Sequence, residues 1–522
     1  MKKYFFYAAM AVATMASCTS EDDLTVDPID PTPDAEEQVA LNLGVATPSM
    51  TVGSRGTGMV GYVQGDANPV AWDSQELFVA MVNSDGTEYK EPAGTSYFQD
   101  LTFRAPKKNG TTQNDGGLIR MYDFYDNDND EGVLRYKYYP VTGEYTFYGW
   151  HKDDATGSAT TKFAQDTAIV SNIVIDGSQD LLAANTIAIP DSLIDTTTST
   201  PTFKANASTY NGTYAAAVKK LVDAGDAATY KTMVDKQFSA RTARNSFTPV
   251  LNFKHTLARL KFHVKAGKGT DAALNFMKDA TNDSVRREYV FADSCWVGNP
   301  QDTVKYKGML NGAIYVTGIK VLDVNNDITL NLLNQTATAT TAIDTFILKS
   351  TPKQVNEVYD DSLDVDKVKL LQELIPVAPT YSYGYNKGGI NNATGTESDE
   401  IGESIMYLPV TNGTTGTDKQ IKIQVQLGQC LIKTEDERLP EGNDSKYTYY
   451  WDTPDPVTLT LNASSIVKGG SKLGDAGAFK AGESYNVYIT IYGREKIEVS
   501  ANLVPWVDGG NIDTDIEDGY QN

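Results

Sequence analysis

Tyr485-Asn486-Val487-Tyr488-Ile489-Thr490-Ile491 is followed, after a short turn around Gly493, by Ile497-Glu498-Val499-Ser500-Ala501-Asn502-Leu503. Apolar residues recur at every second position in both runs, the period of a half-buried β-strand. The same signal recurs outward along the chain. Near Val250, Phe253, His255 and Leu257 share one face, while Leu260, Phe262 and Val264 share another. At the other end, Val39, Leu41, Leu43 and Val45 alternate with Ala40, Asn42 and Gly44. Between these lie short β-type runs divided by Gly, Asn, Asp and Pro: 136–139, 145–150, 313–321, 328–333, 420–427 and 458–461. Helical spacing is confined to 213–223, 227–238 and 364–374. Many short strands with scattered helices predict a mainly β chain of sandwich type rather than an α/β fold.

The 522 residues are long enough for two to four ordinary domains. Lys and Arg number 45 against 68 Asp and Glu, a formal charge of −23. Such a balance repels phosphate backbones, so nucleic acid is not expected as a partner. Three Cys and three His are too few for a multi-ligand zinc or iron–sulfur site, and no metal or cofactor is expected.

Lys2 and Lys3 precede an uncharged apolar run from Tyr4 to Ala16, too short for a membrane span and suited to a secretory leader. The run ends Met15-Ala16-Ser17-Cys18, which resembles the lipobox of bacterial lipoproteins and makes Cys18 the expected lipid-bearing residue. Glu21-Asp22-Asp23 resembles the acidic tag that directs such proteins to the outer-membrane surface. Residues 18–38, acidic and carrying Pro28, Pro31 and Pro33, read as a tether. The polar stretch Arg241 to Ser246 is the expected domain boundary, dividing an N-terminal part, 39–248, from a C-terminal part, 249–522.

Several motifs imitate sites. Gly56-Thr57-Gly58-Met59-Val60-Gly61 matches GxGxxG, but a strand-like segment follows where a dinucleotide fold needs a helix. Asp126, Asp128 and Asp130 open like a calcium loop, yet the glycine comes one position late, at Gly132, and Lys137 replaces the closing Glu. His151, His255 and His263 have no nucleophile motif to serve, and His255 reads as a hydrogen-bonded core residue. No catalytic residue is assigned. With Cys18 lipidated, Cys295 and Cys430 remain, free to pair in an oxidising compartment or to stay buried thiols.

Lipobox, tether, isolated strand and Gly-rich Arg site fall in one order. They are followed by the aromatic run Tyr145-Thr146-Phe147-Tyr148-Gly149-Trp150, by Asn252 to Leu260, and by a terminal strand before Pro505-Trp506. This succession resembles the Bacteroidetes fimbrillins, subunits of type V pili. The resemblance implies two transthyretin-like β-sandwich domains and a structural, non-enzymatic subunit supporting adhesion. It implies an outer-membrane lipoprotein precursor that an Arg- or Lys-specific protease cuts between Arg55 and Gly56. The strand Val39, Leu41, Leu43, Val45 would then leave, and Ile497, Val499, Ala501, Leu503 and Trp506 of a neighbouring copy would replace it. Partners would be other copies, accessory, tip and anchor subunits, and an unnamed surface ligand. The competing expectation is a surface glycan-binding lipoprotein of an uptake system, which would keep its first strand.

Overall fold

A computed structural model describes, with short interruptions, residues 38–46, 72–126, 131–153, 159–266, 314–348, 400–409, 420–435, 447–468, 479–491 and 497–504, together with short strand pieces between 291 and 310 and at 375–376. The first sheet has eight strands: β1 (Gly44–Ala46), β2 (Glu76–Asn83), β3 (Thr102–Arg104), β4 (Arg120–Asp126), β5 (Glu131–Leu134), β6 (Tyr145–Lys152), a strand at Leu181–Thr186 and another at Val250–His255. In chain order the intervening strands are β7 (Thr160–Ala164) and β8 (Thr167–Val174), so Leu181–Thr186 is β9 and Val250–His255 is β10. The sheet order is then β1-β10-β9-β6-β2-β3-β4-β5.

Central strands of this sheet are apolar on both faces for a visible reason. Leu182 and Ala184 of β9 enter one core with Phe147, Leu251 and Phe253, whereas Leu181 and Ala183 enter a second with Val170 and Leu330. A strand covered on both sides must read as a continuous apolar run. Helices α1 (Ala215–Ala224), α2 (Ala227–Val234) and α3 (Ala240–Arg244) fill the first core through Val218, Leu221, Tyr230 and Met233. Helix α1 stops at Gly225, whose φ of 67° is the left-handed conformation that glycine adopts at least cost.

Apart from short pieces of two or three residues, the further strands are β11 (Ala258–Ala266), β12 (Ile314–Asn325), β13 (Asp327–Asn331), β14 (Thr336–Ala339), β15 (Ile343–Ile347), β16 (Glu400–Tyr407), β17 (Gln420–Glu435), β18 (Tyr447–Asp452), β19 (Val457–Asn462), β20 (Ser484–Ile491) and β21 (Ile497–Val504). A second sheet runs β14-β13-β8-β7. The third begins β16-β11-β20-β21 and ends in the short pieces Val467–Lys468 and Ser471–Lys472. The fourth runs β15-β12-β17-β18, with β19 also on β17. These three sheets share the second core, where Phe262, Tyr485, Val487, Ile489 and Ile491 are fully buried. The chain is mainly β, as expected, with sheets packed face to face over apolar cores.

The expected boundary at 248/249 does not separate the sheets. Val250–His255 pairs with β9 and β1 of the first sheet, and the changeover comes at Thr256–Leu257, before β11 enters the third. β13 also returns from the C-terminal part to pair with β8, and β14 pairs with β13. Contacts hold the described residues from Val39 onward together as one unit. The polar stretch after Ala240 is helix α3, started by Ser239 and Thr242 bonding each other reciprocally, so polarity there marks a capped helix. The run 136–139 is not a strand but forms one bridge, at Tyr138, while the expected helix 364–374 lies outside the described residues.

Candidate functional site

The site begins with a short alternating segment. Leu41, Leu43 and Val45 are buried, Val39 packs against the same core, and Ala40 and Asn42 face outward. Period two therefore places one apolar face inward, as the sequence predicted. Two walls hold the segment. On one side β1 runs parallel to β10, with Gly44 opposite Val250 and the Gly44 amide donating to the Pro249 carbonyl at 2.8 Å. On the other, the Leu41 amide donates to the Lys137 carbonyl at 2.8 Å, the Tyr139 amide to Val39 at 2.9 Å, and the Ile119 amide to Leu43 at 2.7 Å. Bridges of Ala40 with Tyr138 and of Gly44 with Leu118 are antiparallel. The segment thus closes the gap between the two arms of a curled sheet.

Each wall has its own support. The Tyr138 carbonyl accepts from the Tyr97 hydroxyl, and the Lys137 ammonium lies 3.0 Å from Glu91 and over the Tyr97 ring. Across the slot, the Val250 amide donates to the Tyr214 hydroxyl at 3.1 Å. At the far end, the Trp72 indole donates to the Ala46 carbonyl at 3.1 Å. The floor includes Tyr139, Phe147 and Phe253. Burial raises the Tyr139 phenol far above its ordinary range. Without residues 39–46, the Pro249 and Lys137 carbonyls and the Ile119 and Tyr139 amides would lose their partners beside an apolar trough. Such an edge is a template for another strand.

The terminal strand lies elsewhere. β21 pairs along its whole length with β20, from Ser484 opposite Val504 to Ile491 opposite Ile497. Ile497 and Ala501 are buried in the second core and Val499 packs against it; Leu503 lies in the strand at a position facing Tyr485. In the single chain the expected donor is therefore occupied in its own sheet and is not brought to the slot. Cys18, Arg55, Gly56, Trp506, Asp128, Asp130 and the GxGxxG stretch lie outside the described residues, as do the side chains of Cys295 and Cys430.

A buried polar network escaped the sequence reading. His151 on β6 places Nε2 3.0 Å from Asp153 Oδ1 and Nδ1 2.6 Å from the Glu76 carbonyl. Asp153 accepts from the Asp180 amide, and Asp180 lies 2.8 Å from His255 Nδ1. Burial by itself would lower the His151 pKa, but the hydrogen bond and charge of Asp153 and the Glu76 carbonyl outweigh it, leaving the imidazole above its ordinary range. Burial likewise raises Asp153. The only sequence signal was spacing: two acids at strand ends beside two histidines on apolar strands. The network ties β6, β9 and β10 together and approaches the slot through the Trp72–His151 ring contact. Among the described residues, no group of three or more His, Cys, Asp or Glu is placed to hold a metal.

No family model and no curated protein matches the chain. Among solved structures it is similar to a candidate cell adhesion protein from Bacteroides uniformis ATCC 8492, with 11% identity, a TM-score of 0.33 and coverage of 92% of this chain and 100% of that one. It is similar to a fimbrilin from Porphyromonas gingivalis W83, with 9% identity, a TM-score of 0.28 and coverage of 91% and 98%. The fimbrial anchor protein Mfa2 from Porphyromonas gingivalis is a further match, with 9% identity, a TM-score of 0.26 and coverage of 91% and 99%.

Proposed function

We propose that the protein is a structural, non-catalytic subunit of a surface fimbria, exported as a lipoprotein through Cys18 and polymerised by strand replacement. One observation supports the reading: residues 39–46 lie as a short segment between two walls that have hydrogen bonds of their own, with Leu41, Leu43 and Val45 buried. Arg55 is the only Lys or Arg between Tyr4 and Glu88, so a basic-specific protease has a single target for releasing that strand. The incoming strand is Ile497–Leu503 of a second copy with Trp506 beyond it, and it must separate from β20 before it can enter.

Trypsin treatment of the full chain under native conditions tests this. The expected result is a new N-terminus at Gly56 and a ladder of oligomers in unheated gels, both abolished by Arg55→Ala. A chain that is cut at Arg55 but stays monomeric, or one that resists cutting and binds a glycan array, would overturn the reading.

A further inference from the structure

Seven of the ten large hydrophobic side chains exposed among the described residues fall between Leu118 and Val141. Three of them, Phe124, Val133 and Leu134, lie on β4 and on β5, the last strand of the first sheet, which among the described residues pairs with β4 only. All four β5 residues are exposed, Val133 at 61%. Its neighbour across the pair, Phe124 on β4, is exposed at 65% and shares its face. The Arg135 amide donates back to Met121 on the inner side. By strand alternation the backbone groups of Gly132 and Leu134 then point away from the sheet. Gly132 has no room for a side chain: a Cβ there would stand 2.5 Å from Tyr122 and 2.9 Å from Tyr125. Among the described residues the edge is thus open, apolar and closely backed by its own sheet, the kind that proteins normally cover or charge.

The sequence Glu131-Gly132-Val133-Leu134-Arg135 is complementary to itself when reversed. Paired antiparallel about a two-fold axis at Val133, Glu131 faces Arg135 of the second copy, and Gly132 faces its Leu134. The outward backbone groups of Gly132 and Leu134 then meet each other. Phe124 and Val133 continue into the second copy's Val133 and Phe124 as one apolar row. We propose that β5 is a lateral contact, pairing edge to edge with the same strand of a second copy of this chain. This goes beyond the strand-replacement reading, because it uses neither residues 39–46 nor β21. A five-residue edge buries less than a stable dimer needs, so the contact is weak for one pair of subunits. Repeated along two fibres it becomes strong through multivalency.

The test uses the full, uncut chain, so it stands whether or not cleavage and polymerisation occur. Sedimentation velocity at rising concentration should show a monomer–dimer equilibrium. Glu131→Lys and Arg135→Glu, each confirmed folded by circular dichroism, should each weaken dimerisation about tenfold, through two like-charge pairs per dimer. The double variant should restore it. Arg135 also lies 3.5 Å from Asp123, but this exposed pair is weak and the double variant controls for its loss. Under mild oxidation Val133→Cys should trap a disulfide dimer absent from the parent chain, whereas Leu134→Cys, offset from its own copy by the two-fold, should not. A chain that stays monomeric at millimolar concentration, or a double variant no better than the single ones, would overturn the proposal. So would equal trapping at 133 and 134.

Discussion

Leu43 shows how much rests on single side chains of the closing strand. It is fully buried and its carbonyl accepts from Ile119, so Leu43→Ala removes packing while leaving the backbone bond. A loss of about 2–5 kcal/mol is expected in urea unfolding of the full chain. Once Arg55 has been cut, the variant should also release the N-terminal peptide that ends at Arg55 sooner than the parent, as followed by size exclusion. The His151–Asp153 pair gives a second residue-scale prediction. His151 binds its proton more tightly folded than at the ordinary 6.5, so its stabilising contribution is complete below that pH and is lost as pH rises through the higher folded value. Asp153, raised above 3.8, acts in the same direction at lower pH. Melting temperature should therefore fall with rising pH above 6.5 more steeply in the parent than in His151→Gln. Parallel slopes in the two proteins would remove the pair from the account. At this scale the inward residues 41, 43 and 45 were legible from period two alone. The histidine network was not, because Asp153 and Asp180 are brought together by adjacent strands β6 and β9, and no local pattern records that pairing.

Among the elements, the β20–β21 hairpin matters most for the proposed strand replacement, because the proposed donor has to leave it. Tyr488 and Ser500 are directly opposite on the face away from the apolar core. A disulfide between cysteines introduced at these two positions should hold β21 in place, blocking ladder formation after trypsin until a reductant is added. If oxidised and reduced chains assemble equally, the donor is not β21. The hairpin itself could be read in advance from two alternating runs and a turn. The helix at 240–244 could not, since its five residues bury only Thr242 and its existence rests on the Ser239 cap. Likewise 136–139 has strand composition but is held by two backbone hydrogen bonds to residues 39–41 and one from the Tyr97 hydroxyl, and forms a single bridge rather than a ladder.

For the whole molecule, charge is the dominant opposing force. The full chain carries −23, and residues 56–522, without the eight acids and three bases of 1–55, still carry −18, so two copies repel at long range before any strand or edge can engage. Assembly followed by light scattering should accelerate between about 10 and 150 mM salt, as the screening length shortens from roughly 30 to 8 Å. Fold class was legible because alternation survives wherever one sheet face is buried. Sheet membership was not: β13 and β14 follow residue 326 yet complete a sheet begun at Thr160, and composition does not mark such a return. The boundary near Arg241 was likewise a change in polarity, while the chain changes sheet where Thr256 bonds back to Leu181.

The parallel pairing of Gly44 with Val250 has a kinetic consequence. Synthesis proceeds from the N-terminus, so residues 39–46 are made long before the wall that receives them. Residues 39–46 can dock only after β10 has emerged and been set against β9, so the first segment made is among the last to settle. Contacts spanning so much chain fold slowly. That order leaves the segment least entangled with what formed earlier, and so the easiest part of the fold to withdraw.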